Sequence, residues 1–212
     1  MNEIAFEIRI CTSCGLRYPI TQGHSFGVRC PHCLGETEIT LEKLISDEHP
    51  NRGRAGQKDH LVVLVDNVRS AWNVGSILRS ADGFGFSHAY LCGITPTPEQ
   101  EAVQKTSLGA EDFVTWSYHK DATKLVKGLR LEGWRVLGLE DEKQAVSLDM
   151  VGPAKEEIPT VLIIGNEVTG VDPGLLKLCD EIISIPMYGS KRSFNVAVAF
   201  GIAAYKIKSL SR

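Results

Sequence analysis

Beyond residue 60 the sequence alternates short apolar runs with segments of helical period, and few architectures accept that pattern. Leu61-Val62-Val63-Leu64-Val65 has no polar alternation, as expected of a strand buried on both faces. Runs at 89–92, 113–116, 134–139, 161–164 and 182–185 read as further strands. Segment 73–84 sets Val74, Ile77, Leu78 and Ala81 on one side of a helix, and segment 121–132 is helical with Leu125, Val126 and Leu129 apolar. Residues 175–179 read as a short helix. This alternation specifies an α/β fold around a mostly parallel sheet. Cys92 and Cys179 sit in or beside apolar runs and read as packing residues.

Within that pattern, residues 182–207 form the most informative stretch. A strand ends at Pro186, which has no N–H to give to a ladder. The loop Met187-Tyr188-Gly189-Ser190-Lys191-Arg192-Ser193 carries two cations, two hydroxyls and a glycine. Small apolar residues then run from 195 to 205. As a helix that run is apolar nearly all round, so it is expected to be buried on more than one face. A loop of this kind suits an anionic or polar ligand held between a strand end and a helix start.

Residues 1–45 form a separate unit. Cys11-x-x-Cys14 is followed after fifteen residues by Cys30-x-x-Cys33. A two-residue spacer lets both sulfurs of one knuckle reach the same ion, and two knuckles complete a tetrahedron. Short β-like runs at 5–10, 16–20, 26–29 and 36–40 surround the knuckles, with Gly15 and Gly35 expected to supply the backbone freedom of the turns. The unit reads as a small β zinc ribbon, with Cys11, Cys14, Cys30 and Cys33 as ligands and His24 and His32 as surface residues. Its core is too small to fold alone, so the metal is expected to stabilise it. Residues 46–59 are polar and without periodicity, and read as a linker.

The net charge is −3, so no global positive field attracts nucleic acid. Any basic surface must be local: Arg52, Arg54 and Lys58 in the linker, the pair Lys191-Arg192, or the tail Lys206, Lys208 and Arg212. No stretch is long and uncharged enough to span a bilayer, and the first residues hold acids among apolar ones, without a signal-peptide core. A cytoplasmic protein with reduced cysteines is expected.

In an open α/β sheet, ligands bind beyond the carboxyl ends of the strands. The loop after the first strand leads into Asn73-x-Gly75-x-x-x-Arg79. There Asn73 stands where a helix begins, a position that commonly holds an N-cap. Arg79, six residues on, is not on the same near face. The loop after the strand at 161–164 reads Gly165-Asn166-Glu167-x-x-Gly170. It is neither a P-loop nor a dinucleotide fingerprint.

Taken in order, these two motifs together with Ile185-Pro186-Met187-x-Gly189 and Ser193-x-Asn195-Val196-Ala197-Val198-Ala199 resemble the SpoU (TrmH) family of the SPOUT superfamily of RNA methyltransferases. Ser107-Leu108-Gly109-Ala110 is similar to the family's variable Ser-x-Gly-Ala loop. The resemblance covers about residues 61–205, with Phe194 where the family usually has leucine. The ribbon is outside the family's usual pattern.

The resemblance implies a methyltransferase domain over 60–212, with a SPOUT-type α/β knot: a mostly parallel sheet closed by a C-terminal trefoil knot. It implies transfer of the S-adenosylmethionine methyl group to a ribose 2′-OH. The cofactor pocket would use Leu139, Gly165, Ile185, Met187 and Phe194. A homodimer is implied, with active sites near the subunit interface, where Ala197, Ala199, Gly201, Ala203 and Ala204 would suit a closely packed helix.

Arg79 would pair with an RNA phosphate and stabilise alkoxide charge, because guanidinium holds its proton too strongly for easy base work. Asn73 would orient Arg79 or the ribose, and Ser193 and Asn195 would hold the nucleotide. Glu167 would anchor the arginine, orient a loop or bind RNA. The chemistry needs no metal, so zinc would be structural. The substrate is expected to be tRNA or rRNA, with tRNA favoured. A non-catalytic RNA-binding protein on the same fold is the alternative, and its sign would be loss of Arg79, Ser193 or Asn195, all present. A small nucleotide hydrolase is disfavoured by the lack of a P-loop and a nucleophile elbow.

Overall fold

The computed structural model describes residues 3–21, 29–46, 61–152 and 158–209. The linker beyond Ser46, with Arg52, Arg54 and Lys58, lies outside the described residues, as do His24, positions 26–28 and Arg212. The chain divides into two compact units, Met1–Ala55 and Gly56–Arg212.

In the first unit, β1 (Glu3–Cys11) pairs antiparallel with both β2 (Arg17–Thr21) and β3 (Thr37–Ser46). Thr40 is an extra residue where the register shifts opposite Ile8 and Arg9. Its hydroxyl donates to the Ile8 carbonyl at 3.0 Å, so the bulge keeps its backbone satisfied. β3 runs past the expected end at residue 40 and takes in Ser46, the first residue of the expected linker.

The second unit follows the order β4 (Leu61–Asp66), α1 (Ala71–Phe84), β5 (His88–Cys92), α2 (Glu101–Ser107), β6 (Thr115–His119), α3 (Ala122–Leu131), β7 (Arg135–Leu139), β8 (Val146–Ser147), β9 (Thr160–Ile164), α4 (Pro173–Leu176), β10 (Glu181–Ser184), α5 (Val196–Ser209). Its seven strands lie in the order β6-β5-β4-β9-β7-β10-β8, and all the pairs among the described residues are parallel. β4 and β9 are buried at every position. Val63, Val65 and Ile164 pack with Ile77, Leu78 and Ala81 of α1 and with Phe200, Ala203 and Ala204 of α5. On the other face Val62, Leu64, Val161 and Ile163 pack with Val126 and Leu129 of α3 and Leu175 of α4. Burying each such Leu, Ile or Phe side chain contributes roughly 1.5–3 kcal/mol. This double coverage is why the strands read as unbroken apolar runs.

Three expectations need correction. β6 starts at Thr115 and runs to His119, whereas Phe113 is exposed and ends a short 3-10 turn. The short helix expected at 175–179 is instead α4, Pro173–Leu176, because Asp172 caps it and Pro173 opens its first turn, while α2, unannounced by any stripe, buries only Val103 as an apolar side chain. α5 buries one side, through Phe200, Ala203, Ala204 and Ile207. The spacing of these four at i, i+3, i+4 and i+7 makes a single stripe, and Val198 and Tyr205 stay exposed. Burial pushes the Cys92 thiol up to about 12 and the Cys179 thiol up to about 11. Both suit inert packing residues.

Candidate active site

β4 lies between β5 and β9. The chain passes outward from β4 to β5 and β6, while β9 begins the other half of the sheet. Such a reversal opens a crevice at the carboxyl ends of the strands. Three loops meet there, following β4, β9 and β10.

The first loop turns sharply at Asn67, which takes a left-handed backbone with φ 55°, a conformation asparagine tolerates. Ser70 caps α1, its Oγ accepting the Asn73 N–H at 3.3 Å. The N-cap is therefore Ser70 and not Asn73. Asn73 falls one turn inside, where its side chain is free for other partners. It donates to Glu167 Oε1 at 2.9 Å and accepts at Oδ1 from Asn195 Nδ2 at 3.0 Å.

The orientation of these amides is forced by their neighbours. A carboxylate only accepts, so Asn73 must turn its NH₂ to Glu167. Asn195 Oδ1 already accepts the N–H groups of Ala197 and Val198 at the start of α5. Its NH₂ is left to donate to Asn73.

The second loop begins at Gly165. A Cβ there would stand 2.2 Å from Gly170 C and Val171 N, both backbone atoms. Only glycine allows the turn, which Asn166 and Gly170 close with a reciprocal pair of 3.0 Å backbone bonds. This turn presents Glu167 to the first loop. Its carboxylate accepts the N–H groups of Arg69 at 3.0 Å and Ser70 at 3.1 Å, besides Asn73. Partial burial would raise its pKa, but these donors outweigh that and hold it below the usual carboxylate value. A carboxylate at a helix N-terminus is favoured by the helix dipole as well.

Two further acids hold the same loop, and the sequence motifs did not single them out. Glu140, just past β7, accepts the Val171 N–H at 2.7 Å and the Asp141 N–H at 3.1 Å. A Cβ on Gly170, whose φ is 72°, would meet Glu140 Oε2 at 2.2 Å. Asp66, the buried end of β4, accepts the Asp172 N–H at 3.2 Å. Burial raises its pKa. The one signal for either is an acid directly ending an apolar strand.

The segments after β7, β9 and β10 enclose a cavity of ≈ 270 Å³, and the loop after β4 bonds to its wall without lining it. Leu139, Gly165, Ile185, Met187 and Phe194 all line it, together with Glu140, Glu167, Ser193 and Asn195. Asn73 is not on its wall but is bonded to two residues that are. Arg79 is apart. It lies six residues further along α1, about 9 Å along the helix axis, is exposed, and forms no hydrogen bond or ion pair among the described residues. The structure therefore joins Glu167 to Asn73 and the first loop, and not to Arg79.

The cysteine cluster belongs to the other unit. The four sulfurs lie within 4.8 Å of one another, with Cys11 and Cys33 3.4 Å apart and Cys14 and Cys30 3.7 Å apart. Sulfurs at about 2.3 Å from a tetrahedral zinc would be about 3.8 Å apart, so the set fits such an ion. The Cys14 N–H donates to Cys11 Sγ at 3.4 Å and, as the largest influence, brings the Cys11 thiol down to about 6. The knuckles repeat one turn, with Gly15 N bonded to Cys11 O and Leu34 N bonded to Cys30 O, both at 2.9 Å. Gly15 has φ 74°, but in the second knuckle Leu34 takes the left-handed position at φ 60°. Gly35 is needed instead for space, since its Cβ would meet Ser13 Oγ at 2.6 Å. His32 is exposed and outside the cluster.

Residues 60–205 match the SpoU rRNA Methylase family. The chain belongs to that family. Among relatives of this SpoU protein, the tRNA (guanosine(18)-2′-O)-methyltransferase of Aquifex aeolicus (strain VF5) is 31% identical over 172 residues, 79% of each chain. An uncharacterized tRNA/rRNA methyltransferase of Mycobacterium avium (strain 104) is 31% identical over 168 residues, 77% of this chain and 53% of that one. The chain thus spans about half the length of the mycobacterial relative. The crystal structure of the A. aeolicus TrmH/SpoU tRNA modifying enzyme superposes with TM-score 0.65 at 28% identity, covering 73% of this chain and 76% of the other. The AdoMet-bound rRNA methyltransferase from Sinorhizobium meliloti gives 0.67 at 25% identity, covering 72% and 57%. The parallel sheet and these likenesses make the SpoU unit a SPOUT-type α/β domain.

Proposed function

We propose that this SpoU protein transfers the methyl group of S-adenosylmethionine to a ribose 2′-OH of RNA, with tRNA favoured over rRNA. The observation that carries this reading is the cavity lined by the segments after β7, β9 and β10, with the asparagine and glutamate network that ties the β4 loop to its wall. S-adenosylmethionine supplies an electrophilic methyl group. Leu139, Gly165, Ile185, Met187 and Phe194 would hold it, through apolar packing and backbone groups along the lining. The 2′-oxygen gains the methyl, the C–S bond to sulfur breaks, and the hydroxyl proton leaves to water or to an RNA phosphate.

Ser193 and Asn195, on the cavity wall, hold the nucleotide in this reading. Asn73 and Glu167 keep the first and second loops in register with α5. Arg79 stabilises developing alkoxide charge and pairs with phosphate. It does not line the cavity of its own chain, so a homodimer in which Arg79 of the partner subunit serves the site completes the constellation. Zinc at the four cysteines is structural, and residues 1–45 act as a ribbon joined by a linker over 46–59. A place in the cytoplasm is part of the same reading; among the described residues no helix is long and apolar enough to cross a membrane.

Tritium transfer from labelled S-adenosylmethionine to bulk tRNA and, separately, to rRNA tests the reading. Label recovered in a 2′-O-methyl nucleotide of tRNA, and lost in Arg79→Ala, is the expected result. Absence of S-adenosylmethionine binding would overturn it and favour the non-catalytic RNA-binding alternative.

A further inference from the structure

Beside the site, the first turn of α1, the loop after β9 and the loop after β10 each carry a large apolar side chain that the fold leaves in solvent. Trp72 precedes Asn73 and is 69% exposed, Val168 follows Glu167 at 74%, and Tyr188 follows Met187 at 94%. Trp72 is off the buried stripe of α1, which is Val74, Gly75, Ile77, Leu78 and Ala81. An exposed indole and phenol forgo the burial that normally stabilises aromatic side chains, and both keep a flat face for a partner.

Cations accompany the rings. Arg69 stands three residues before Trp72, and Lys191-Arg192 three residues after Tyr188. All three are exposed, and none forms an ion pair among the described residues. In a chain of net charge −3 this is local positive charge: Arg192 lines the cavity, Lys191 precedes it, and the Arg69 N–H is bonded to the wall residue Glu167. Rings for base faces and cations for phosphates are the combination that binds unpaired nucleotides. A base-paired helix hides its base faces and offers the rings nothing to stack on.

The position of Trp72 is held. Its neighbour Asn73 is bonded to the wall residues Glu167 at 2.9 Å and Asn195 at 3.0 Å, so the backbone that bears the ring is tied to the cavity wall. We propose that Trp72 stacks on a base of the RNA at or beside the methylated ribose, with Tyr188 as a second, more exposed platform, so that the substrate is an unpaired nucleotide rather than a helical one. The proposal rests on the methyltransferase reading above and names the form of RNA it takes.

Two measurements on the 212-residue chain test it. In the first, methyl transfer to bulk tRNA is compared for wild type, Trp72→Ala and Trp72→Phe. The KM for RNA should rise by about tenfold in Trp72→Ala, with S-adenosylmethionine affinity unchanged, and Trp72→Phe should recover most of the loss. In the second, tryptophan fluorescence is titrated with a mixed-sequence single-stranded oligoribonucleotide and with the same strand annealed to its complement. Trp116 and Trp134 are only half-exposed, so quenching by the single strand, weak with the duplex and absent in Trp72→Phe, is expected.

An unchanged KM in Trp72→Ala together with quenching that survives in Trp72→Phe would overturn the proposal. So would dissociation of Trp72→Ala into monomers with lost S-adenosylmethionine binding, which would assign the ring to contact between copies. If wild type methylates no RNA, the methyltransferase reading fails, while the fluorescence titration still decides whether Trp72 meets unpaired RNA.

Discussion

Asn195 donates its side-chain amide to Asn73 Oδ1 at 3.0 Å, joining the starts of α5 and α1 across 122 residues of sequence. Asn195 also caps α5 through its Oδ1, and the two functions can be separated. Asn195→Asp keeps an acceptor for the α5 N–H groups but faces Asn73 Oδ1 with oxygen. Asn195→Ala loses both, at a cost of about 0.5–2 kcal/mol for the cap alone. Asn195→Asp should therefore unfold within about 1 kcal/mol of wild type, yet lose methyl transfer on the order of tenfold, the effect of one hydrogen bond. Denaturant midpoints and initial rates, measured side by side, check this. Full activity in Asn195→Asp would remove the bond from the machinery.

Glu167 makes stability depend on pH with a definite sign. Its carboxyl lies below its unfolded value because Arg69, Ser70 and Asn73 donate to the carboxylate. The contribution is present in full above the ordinary carboxylate value near 4.5 and is lost as the pH falls through the lower folded value. Glu167→Gln should lower the denaturation midpoint at pH 7, and the gap to wild type should narrow toward pH 3. A gap of constant size at the two pH values would show that the charge contributes nothing.

Much of the sheet is legible because its central strands are apolar runs with polar residues only at their ends. The runs at 61–65, 161–164 and 182–185 fall within a residue of β4, β9 and β10. β6 fails for the opposite reason. Thr115 and Ser117 bond to His88 at 2.7 and 2.8 Å, so its polar positions are satisfied sideways and read as loop, while the apolar Phe113 lies in solvent. At the site, Asn73, Glu167 and Asn195 can be picked out by residue type, but their mutual bonding cannot, since 94 and 122 residues separate Asn73 from its two partners. Glu140 and Asp66 escape because an acid at a strand end looks like any solvated turn until the N–H groups it accepts are located.

Two glycines of the site should respond in opposite ways to the same substitution. At Gly165 a new Cβ meets rigid backbone at 2.2 Å, whereas at Gly189 nothing lies within 4 Å. Gly165→Ala should open the turn that presents Glu167, cost on the order of 1–3 kcal/mol or more, and abolish S-adenosylmethionine binding. Gly189→Ala should change stability by less than about 0.5 kcal/mol, as surface changes usually do. Calorimetric titration with the cofactor and thermal unfolding of both variants decide the matter. Equal behaviour would mean that the turn relaxes around the added methyl group.

The ribbon should depend on its metal for folding. Among its described residues the buried side chains are Cys11, Cys30 and Glu7, while Leu16, Leu34, Ile39, Leu41 and Leu44 are exposed. Two of the three buried groups belong to the proposed zinc site, so there is almost no apolar core to hold β1, β2 and β3 together. Sulfurs brought within 4.8 Å without an ion would repel as thiolates. Elemental analysis should find one zinc per chain. Chelation, or Cys14→Ser, should remove amide-exchange protection from β1 and β3 and leave it intact in β4 and β9, whose cores contain no metal ligand. Ribbon amides that stay protected in metal-free protein would show that the strands fold without the ion and that the four cysteines have another use.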